Sequence, residues 1–238
     1  MNREYHRWHS PRLQRDMELL VFGHSGIPVI VFPTSHGAFY EYEDRGMVGC
    51  ITDVLVRGGV QLFCVDSVNS ESWYNYSAPP RWRIVRHMQY DDYLQHEVLP
   101  FVHMKNSSHL LYVTGCSFGG YHAVNFALRY PERVDACISM SGSFDIKPHI
   151  TGYYDDDCYF HNPVDYLPNI HDERYLSLYR TKTRIILGTG EWDICLGANI
   201  QLSGMLHDKG VDHVLDVWGD HAVHDWPLWH GMIRKFLS

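Results

Sequence analysis

The chain contains 238 residues, 45% of them hydrophobic, which is enough to bury the core of one α/β domain spanning residues 1–238. Its formal net charge is -8, and Lys and Arg are scattered along the sequence, so neither a nucleic-acid-binding surface nor a polybasic membrane patch is expected. No apolar run approaches the roughly 20 residues that a membrane span requires. We therefore expect a small-molecule partner, with no nucleic acid and no membrane; a homo-oligomer is compatible with this composition.

The N-terminus and the cysteines both indicate in which cellular compartment the protein is expected. Residues 1–8 are polar and aromatic, without the apolar run and small-residue cleavage site of a secretory signal. The six cysteines sit mostly singly in apolar runs and form no Cys-x-x-Cys pair. This usage is typical of buried thiols in a reducing environment. The sequence thus predicts a cytoplasmic protein without structural disulfides.

Short β-rich runs alternate with longer helical patterns along the chain. This alternation is typical of an α/β fold with a mostly parallel central sheet that carries helices on both faces. The predicted strands span residues 17–22, 28–32, 60–65, 110–114, 134–140, 184–187 and 213–217. The predicted helices span residues 41–57, 85–104, 118–130, 196–209 and 227–237.

Three connections stand out in this pattern. Residues 23–26, with the sequence Gly-His-Ser-Gly, resemble a hairpin turn between the first two strands. The segments 66–83 and 143–181 are polar and aromatic and fall outside the alternation. Since both follow strands, both are expected over the carboxyl edge of the sheet, where open α/β folds bind ligands. The second segment, 143–181, is long enough to form a small cap or lid.

The clearest chemical motif is Gly115-Cys116-Ser117-Phe118-Gly119, which lies between an apolar strand and the start of a helix. Glycines two residues before and after Ser117 leave room for a sharp strand-to-helix turn that presents the serine hydroxyl at the top of the sheet. A serine that merely caps the helix is the alternative. The strand before the motif and the helix after it favour Ser117 as a nucleophile.

A serine nucleophile needs a histidine to accept its proton and a carboxylate to orient that histidine, in the chain order Ser, acid, His. Glu191 and Asp193 follow the strand predicted at 184–187, in a loop that contains glycines. We choose Asp193 because its shorter side chain lies further into the loop before the next helix. A role for Asp193 only in capping that helix is the alternative.

Two histidines follow the last predicted strand. His221 is nearer the strand end, and His224 lies immediately before the terminal helix. Spacing alone does not decide which of them is the general base. A metal site built from these histidines and Asp225 has weak support, because the chain has no His-Glu-x-x-His motif and no Cys/His set at zinc spacing. We expect no catalytic metal and no other cofactor.

Two backbone N–H groups should stabilise the charge that develops on the substrate carbonyl oxygen. One is the amide of Phe118, directly after the nucleophile, and the other should come from the loop after an early strand. That loop, called the oxyanion loop below, contains His36 and Gly37, and Ala38 is the best candidate for the second donor. An ordinary glycine turn is the alternative at this position.

Aromatic side chains of the two irregular segments are candidates for a substrate pocket. Trp73 and Tyr74 lie in the first segment, Tyr153 lies in the second, and His36 lies in the oxyanion loop. Ordinary packing of a cap on the sheet explains the same aromatic residues equally well. A small acyl or aryl ester is therefore only the favoured class of substrate.

These motifs resemble the esterase D/antigen 85-like branch of the α/β-hydrolases, which includes feruloyl and acetylxylan esterases. The resemblance rests on His36-Gly37, the Ser117 motif, the loop from Gly190 to Asp193, and His224-Asp225-Trp226 followed by Trp229. It spans most of the chain and implies the α/β-hydrolase fold. A His-Asp-Trp run followed shortly by Trp resembles the catalytic-histidine signature of that branch. The resemblance therefore selects His224 as the base, and it assigns the acid to Asp193.

One departure from the family pattern concerns the oxyanion loop. Thr34 and Ser35 precede His36, where a simple Leu-His-Gly or Leu-Asp-Gly pattern would be expected, so the second donor stays open at this point. Together the residues predict an esterase that forms an acyl-enzyme on Ser117. One alternative is an acyltransferase in which an alcohol replaces water as acceptor. The other is a noncatalytic binding protein, which would not need the ordered Ser, Asp and His set.

Overall fold

Alternate residues of the central strands are buried on opposite faces of one eight-stranded sheet in the computed structural model, which describes all 238 residues. In the strand Val60–Val65, Leu62 and Cys64 pack into one apolar cluster, and Phe63 and Val65 pack into the other. This alternation follows from the two-residue period of a strand. Because every residue of the strand is buried, both faces of the sheet are covered there.

The eight strands form a mixed sheet. They are β1 (Arg3–Ser10), β2 (Arg15–Phe22), β3 (Ile27–Phe32), β4 (Val60–Val65), β5 (Tyr112–Cys116), β6 (Ala136–Met140), β7 (Arg184–Gly190) and β8 (His213–Trp218). Their order across the sheet is β1-β2-β4-β3-β5-β6-β7-β8. Neighbours from β4 to β8 are parallel, whereas β2 is antiparallel to both β1 and β4. The larger part of the sheet is thus parallel, as predicted, and one edge is antiparallel.

The edge strand β1 is missing from the sequence prediction. Its residues alternate between exposed and half-buried, because its one neighbour in the sheet is β2. Arg3, Tyr5 and Arg7 occupy exposed positions, so no continuous apolar face marks the strand in the sequence. Charged side chains on an edge strand also discourage pairing with another chain.

The predicted hairpin at residues 23–26 is wrong. These residues do connect β2 to β3, but the two strands are not paired, because β4 lies between them. The hairpin of this sheet instead joins β1 to β2, and its turn ends at Gln14, which has a left-handed φ of 53°. The chain does reverse direction between β2 and β3, but both strands pair with β4, which comes later in the sequence.

The helices pack in two layers, one on each face of the sheet. They are α1 (Glu41–Asp44), α2 (Met47–Cys50), α3 (Thr52–Val56), α4 (Pro80–Tyr93), α5 (Leu99–Lys105), α6 (Phe118–Arg129), α7 (Asp156–Tyr159), α8 (Pro163–Asn169), α9 (Glu173–Thr181), α10 (Leu196–Asp208) and α11 (Trp226–Leu237). Residues of α1 to α3 and α11 pack into one cluster, and residues of α4 to α6 and α8 to α10 pack into the other. None of these helices is both long and apolar enough to cross a membrane.

The predicted bounds hold for three helices and fail for two. Helices α6, α10 and α11 end or begin within one residue of their predicted limits. The helix predicted at 41–57 is instead three short helices, interrupted at Gly46, whose φ is 78°. The helix predicted at 85–104 begins earlier, at Pro80, and α4 continues through a π-helical turn at Leu94–Val98 into α5.

The segment 143–181 has two parts with different surroundings. Its first part contains a 3₁₀ turn at Lys147–His149 and α7, and its residues Ile146, Ile150 and Cys158 join Phe118 in a small third apolar cluster. Its second part forms α8 and α9, which pack in the larger cluster beside α6 and α10. Only the first part therefore lies beside the nucleophile motif.

Candidate active site

Ser117 lies in the sharp turn between β5 and α6. Its φ and ψ of 54° and -121° are strained for a residue other than glycine, and backbone strain of this kind is concentrated at functional sites. Ser117 occupies the position before the first residue of α6, but its hydroxyl makes no capping hydrogen bond to that helix. The hydroxyl is therefore free for chemistry, and the capping alternative does not describe it.

Two glycines allow this turn by removing a side chain from a close backbone approach. A Cβ atom added to Gly119 would lie 2.4 Å from the carbonyl oxygen of Phe32 and 2.8 Å from that of Pro33. A Cβ atom added to Gly115 would lie 2.3 Å from the backbone of Gly119. The first turn of α6 thus packs directly against the end of β3, which brings the nucleophile turn next to the loop that follows β3.

His224 connects the turn at Ser117 to the loop that contains Asp193. Its Nε2 lies 3.0 Å from Ser117 Oγ, and its Nδ1 lies 2.8 Å from Asp193 Oδ1. The ring of Trp229 meets the imidazole edge-to-face with centroids 5.1 Å apart, and the Trp229 Nε1–H donates to Ser141 Oγ at 2.8 Å. The geometry brings together the three residues chosen from the sequence in one hydrogen-bonded row.

Asp193 is buried, with a side chain that has no exposed surface. Its Oδ1 also accepts a hydrogen bond from the Cys195 amide at 2.7 Å. Cys195 is the N-cap residue of α10, which has no side-chain cap, so Asp193 does not cap this helix. Burial raises the pKa of Asp193, but the hydrogen bonds from His224 and the Cys195 amide, together with the nearby Ser141 hydroxyl, outweigh burial, and the net pKa lies below the ordinary value. The carboxylate is therefore ionised at neutral pH.

The rejected candidates, Glu191 and His221, pair with each other. Glu191 Oε1 accepts from the His221 amide at 2.6 Å, and the His221 ring stacks on exposed Trp192 with centroids 3.9 Å apart. Neither residue makes a hydrogen bond to Ser117 or His224. Spacing in the sequence does not decide between His221 and His224 as the candidate base. In the structure, His224 and not His221 lies beside Ser117.

The candidate oxyanion loop, residues 33–38, follows β3 and is held by side chains from two other segments. Both the amide and the hydroxyl of Thr34 donate to the carboxylate of Glu41, at 2.9 and 2.7 Å. The Asn69 Nδ2 donates to the carbonyl oxygen of Thr34 at 3.3 Å, and the Tyr74 hydroxyl donates to Ser35 Oγ at 2.7 Å. These contacts fix the loop before any substrate arrives.

Ala38 has an uncommitted amide, which an oxyanion donor requires. The Gly37 N–H donates to the carbonyl oxygen of Thr34 at 3.1 Å, whereas the Ala38 N–H has no hydrogen-bond partner within the chain. Ala38 is half-buried and lines a cavity of about 320 Å³ together with His36 and Gly37. The amides of Ser35 and His36 in the same loop also have no hydrogen-bond partner within the chain, so the free N–H agrees with Ala38 as a donor but does not single it out.

The candidate pocket residues have unequal surroundings. His36 is exposed, and its ring meets half-buried Tyr74 with centroids 4.7 Å apart; Tyr74 in turn packs edge-to-face on Phe118 at 5.1 Å. Tyr153 is half-buried and bonded to Asp155. Trp73 is wholly buried in the third apolar cluster, so it packs behind the site and presents no surface to a substrate, which corrects the prediction.

Sequence reasoning missed a buried histidine on the nucleophile helix. His122 lies five residues after Ser117, and its Nε2–H is 2.8 Å from Asn69 Oδ1, the same amide that binds Thr34. Burial lowers the pKa of His122 to about 3, so the ring is neutral. The one available signal was a histidine within an otherwise apolar stretch of α6, and it did not reveal the partner 53 residues away.

A larger cavity of about 610 Å³ lies away from this site. It is lined by Leu128, Arg129 and Tyr130 at the end of α6 and by residues of α8 and α9. Since α6 has 12 residues, its two ends are roughly 18 Å apart at 1.5 Å per residue. Ser117 does not line this cavity.

One family model matches most of the chain. It is described as "Putative esterase" and aligns with residues 21–234. No curated protein matches the sequence.

Solved structures with the same fold cover the whole chain. A ferulic acid esterase has a TM-score of 0.81 at 18% identity, over 99% of this chain and 96% of that chain. An S-formylglutathione hydrolase from Agrobacterium tumefaciens has a TM-score of 0.75 at 14% identity, over 99% and 92% of the two chains. MPT51 (FbpC1) from Mycobacterium tuberculosis has a TM-score of 0.74 at 14% identity, over 100% and 97%. These TM-scores show a shared α/β-hydrolase fold, and the family match shows that the chain belongs to this esterase family and is a serine esterase.

Proposed function

We propose that the protein hydrolyses a small acyl or aryl carboxylic ester with Ser117 as nucleophile, His224 as general base and Asp193 as the orienting acid. The observation that supports this proposal is the unbroken row of hydrogen bonds from Ser117 through His224 to Asp193. A neutral imidazole that donates through Nδ1 to an ionised carboxylate keeps Nε2 free to accept the serine proton. The lowered pKa of Asp193 agrees with that role.

The reaction proceeds in two acyl-transfer steps. His224 Nε2 takes the Ser117 proton while Oγ attacks the ester carbonyl carbon, and the imidazolium then gives that proton to the departing alcohol. Water next attacks the acyl-enzyme, His224 accepts its proton, and Ser117 leaves with that proton as the acid is released. No cofactor takes part in either step.

The negative charge on the carbonyl oxygen is held by two amides. Phe118 N–H comes from the first residue of α6, where backbone donors have no partner within the helix. Ala38 N–H is an uncommitted donor of the oxyanion loop. The glycine at 119 allows the two segments to approach each other, because it leaves α6 in direct contact with the end of β3.

Aromatic rings beside the nucleophile favour a small or planar acyl group. Tyr74 meets both Phe118 and His149, with centroids 5.1 and 4.7 Å apart. We infer that His149 and its neighbours in the first part of segment 143–181 act as a cap over this side of the site. The similarity to a ferulic acid esterase agrees with an aryl ester, and a panel of acetyl, butyryl, feruloyl and acetylated-sugar esters would rank the acyl groups.

The nucleophile is tested with Ser117→Ala. We expect the turnover of p-nitrophenyl acetate to fall by about 10³-fold or more, since the oxyanion donors and substrate binding alone retain only a small part of the rate enhancement. A serine-directed fluorophosphonate should label the parent protein and fail to label the variant. Ser177→Ala, on the exposed part of α9, is the matched control and should behave like the parent. An unchanged rate in Ser117→Ala would overturn the proposal.

A further inference from the structure

Cys195 places a thiol beside the two residues that orient the proposed nucleophile. One ligand atom from each of Asp193, Cys195 and His224 can be chosen so that all three lie within 4.8 Å of one another. Carboxylate oxygen, thiolate sulfur and imidazole nitrogen are together the ligands that Zn²⁺ and Cd²⁺ take in proteins. The thiol is buried and is not part of a disulfide. Neither the fold nor the proposed hydrolysis requires a thiol at this position.

The second observation is an unused oxygen of Asp193. Oδ1 is bonded to both His224 and the Cys195 amide, but Oδ2 is buried and has no hydrogen-bond partner. A buried carboxylate oxygen without a partner is unfavourable, and it retains lone pairs for a cation. The His224 side chain is 18% exposed, so an ion can approach this side of the cluster from solvent.

We propose that Asp193, Cys195 and His224 form an inhibitory site for a thiophilic divalent cation such as Zn²⁺ or Cd²⁺. On binding, the Cys195 S–H bond breaks, its proton goes to solvent, and a sulfur–metal bond forms. The His224 proton moves from Nδ1 to Nε2, and Nδ1 and Asp193 Oδ2 complete the protein ligands, with water in the fourth position. One carboxylate and one thiolate then balance the two positive charges of the ion. No electron transfer is involved.

This binding mode explains why the cation would inhibit. With the metal on Nδ1, the Nε2 of His224 carries a hydrogen and has no lone pair to accept the Ser117 proton. The imidazole is held in the tautomer opposite to the one that the general base needs. Inhibition therefore rests on the proposed function, whereas binding of the cation does not.

The inhibition is tested by titrating Zn²⁺ into the parent protein and into Cys195→Ala. Inhibition of each protein is expressed relative to its own rate without metal, so a change in the basal rate of Cys195→Ala does not enter the comparison. The half-inhibiting Zn²⁺ concentration of this variant should rise at least about tenfold, since even outer-shell partners of a metal ligand are worth that much. Cys50→Ala removes the half-buried thiol elsewhere in the chain and should keep the parent sensitivity. Equal sensitivity of parent and Cys195→Ala would overturn the proposal.

Binding is tested separately in a protein that need not be active. Ser117→Ala should bind one equivalent of Cd²⁺ with the ultraviolet absorption of a cadmium–thiolate bond, and a chelator should reverse it. The double variant Ser117→Ala/Cys195→Ala should show no such absorption, and its absence from Ser117→Ala at one equivalent would overturn the metal site. If Ser117→Ala instead keeps full activity but shows the absorption, the site stands and the proposed nucleophile fails.

Discussion

The two candidate carboxylates near the proposed nucleophile contact different histidines, which makes them a matched pair. Asp193 bonds His224 Nδ1, whereas Glu191 bonds the amide of His221. We expect Asp193→Asn to lower kcat by about 10³- to 10⁴-fold, because an amide stabilises the wrong tautomer of the histidine. KM should change much less, since Asp193 is buried and has no exposed side-chain surface for a substrate.

The measurement is steady-state hydrolysis of p-nitrophenyl acetate by Asp193→Asn and Glu191→Gln. Glu191→Gln should keep kcat within about threefold of the parent, because surface substitutions outside a catalytic network have small effects. A large loss in Glu191→Gln together with a small loss in Asp193→Asn would transfer the acid role to Glu191 and the base role to His221.

At the scale of elements, the oxyanion loop is held by the segment that follows β4. Asn69 accepts a hydrogen bond from His122 on the nucleophile helix and donates one to Thr34 in the loop. The one amide therefore fixes the distance between the two segments that carry the proposed oxyanion donors, Phe118 and Ala38. We expect Asn69→Ala to lower kcat by about 10- to 100-fold with little change in KM, since an oxyanion donor acts mainly in the transition state.

The control for this prediction must separate positioning from loss of folding. Asn75→Ala changes a half-buried asparagine of the same segment that makes no side-chain hydrogen bond, and it should keep the parent kcat. Asn69→Ala leaves the His122 N–H without a partner, which destabilises the fold by about 1–3 kcal/mol. Thermal unfolding measured beside kcat shows whether the variant is folded at the assay temperature. A folded Asn69→Ala with the parent kcat, or with only a raised KM, would contradict the positioning role.

Most of the elements that the sequence predicted contain runs of buried apolar residues, although β8 was also predicted and none of its residues is fully buried. Strands β3 to β7 and helices α6 and α10 are identified by apolar runs and by local start and stop signals, because those residues face the two core clusters. Strand β1 has no such pattern, since an edge strand exposes alternate residues. The false hairpin at residues 23–26 has a related cause: a turn is a local signal, but the pairing of β4 with both β2 and β3 is decided by residues about 40 positions away.

The candidate site likewise contains residues that can be predicted from the sequence and residues that cannot. Ser117, Asp193 and His224 could be chosen because each lies in a recognisable turn after a strand, in the order that the fold requires. Asn69 and His122 could not, since their contact joins two irregular positions with no motif between them. The burial of Trp73 could not be predicted either, because an aromatic residue in a polar segment can pack inward as readily as it lines a pocket.

At the scale of the whole molecule, three buried histidines connect the nucleophile helix to the rest of the larger core. His87 and His161 contact each other through Nε2 and Nδ1 at 3.1 Å, and His122 lies beside His87 with ring centroids 5.6 Å apart. Burial lowers the pKa of His122 to about 3 and, with neighbouring positive charge and the other histidines, lowers those of His87 and His161 well below the ordinary value. All three rings are therefore neutral in the folded protein at neutral pH.

These shifts determine how stability depends on pH. Between an unfolded pKa of about 6.5 and the lower folded values, the unfolded chain binds protons that the folded protein does not. The free energy of unfolding that the three neutral histidines contribute is fully present above about pH 6.5. It is lost as pH falls, at about 1.4 kcal/mol per pH unit for each histidine and roughly 4 kcal/mol per unit for the three. Since a domain is stabilised by only about 5–15 kcal/mol, we expect acid unfolding within a few units below pH 6.5.

Denaturant unfolding followed by circular dichroism between pH 7.5 and about 4.5 measures this slope directly. His87→Gln should reduce the slope by about one proton, even where the variant is less stable overall, because the slope counts protons and not total stability. His103→Gln replaces a histidine that is exposed in the folded protein and should leave the slope at the parent value. A parent slope near zero over this range, or equal slopes in the parent and His87→Gln, would show that the buried histidines are not the source of acid lability.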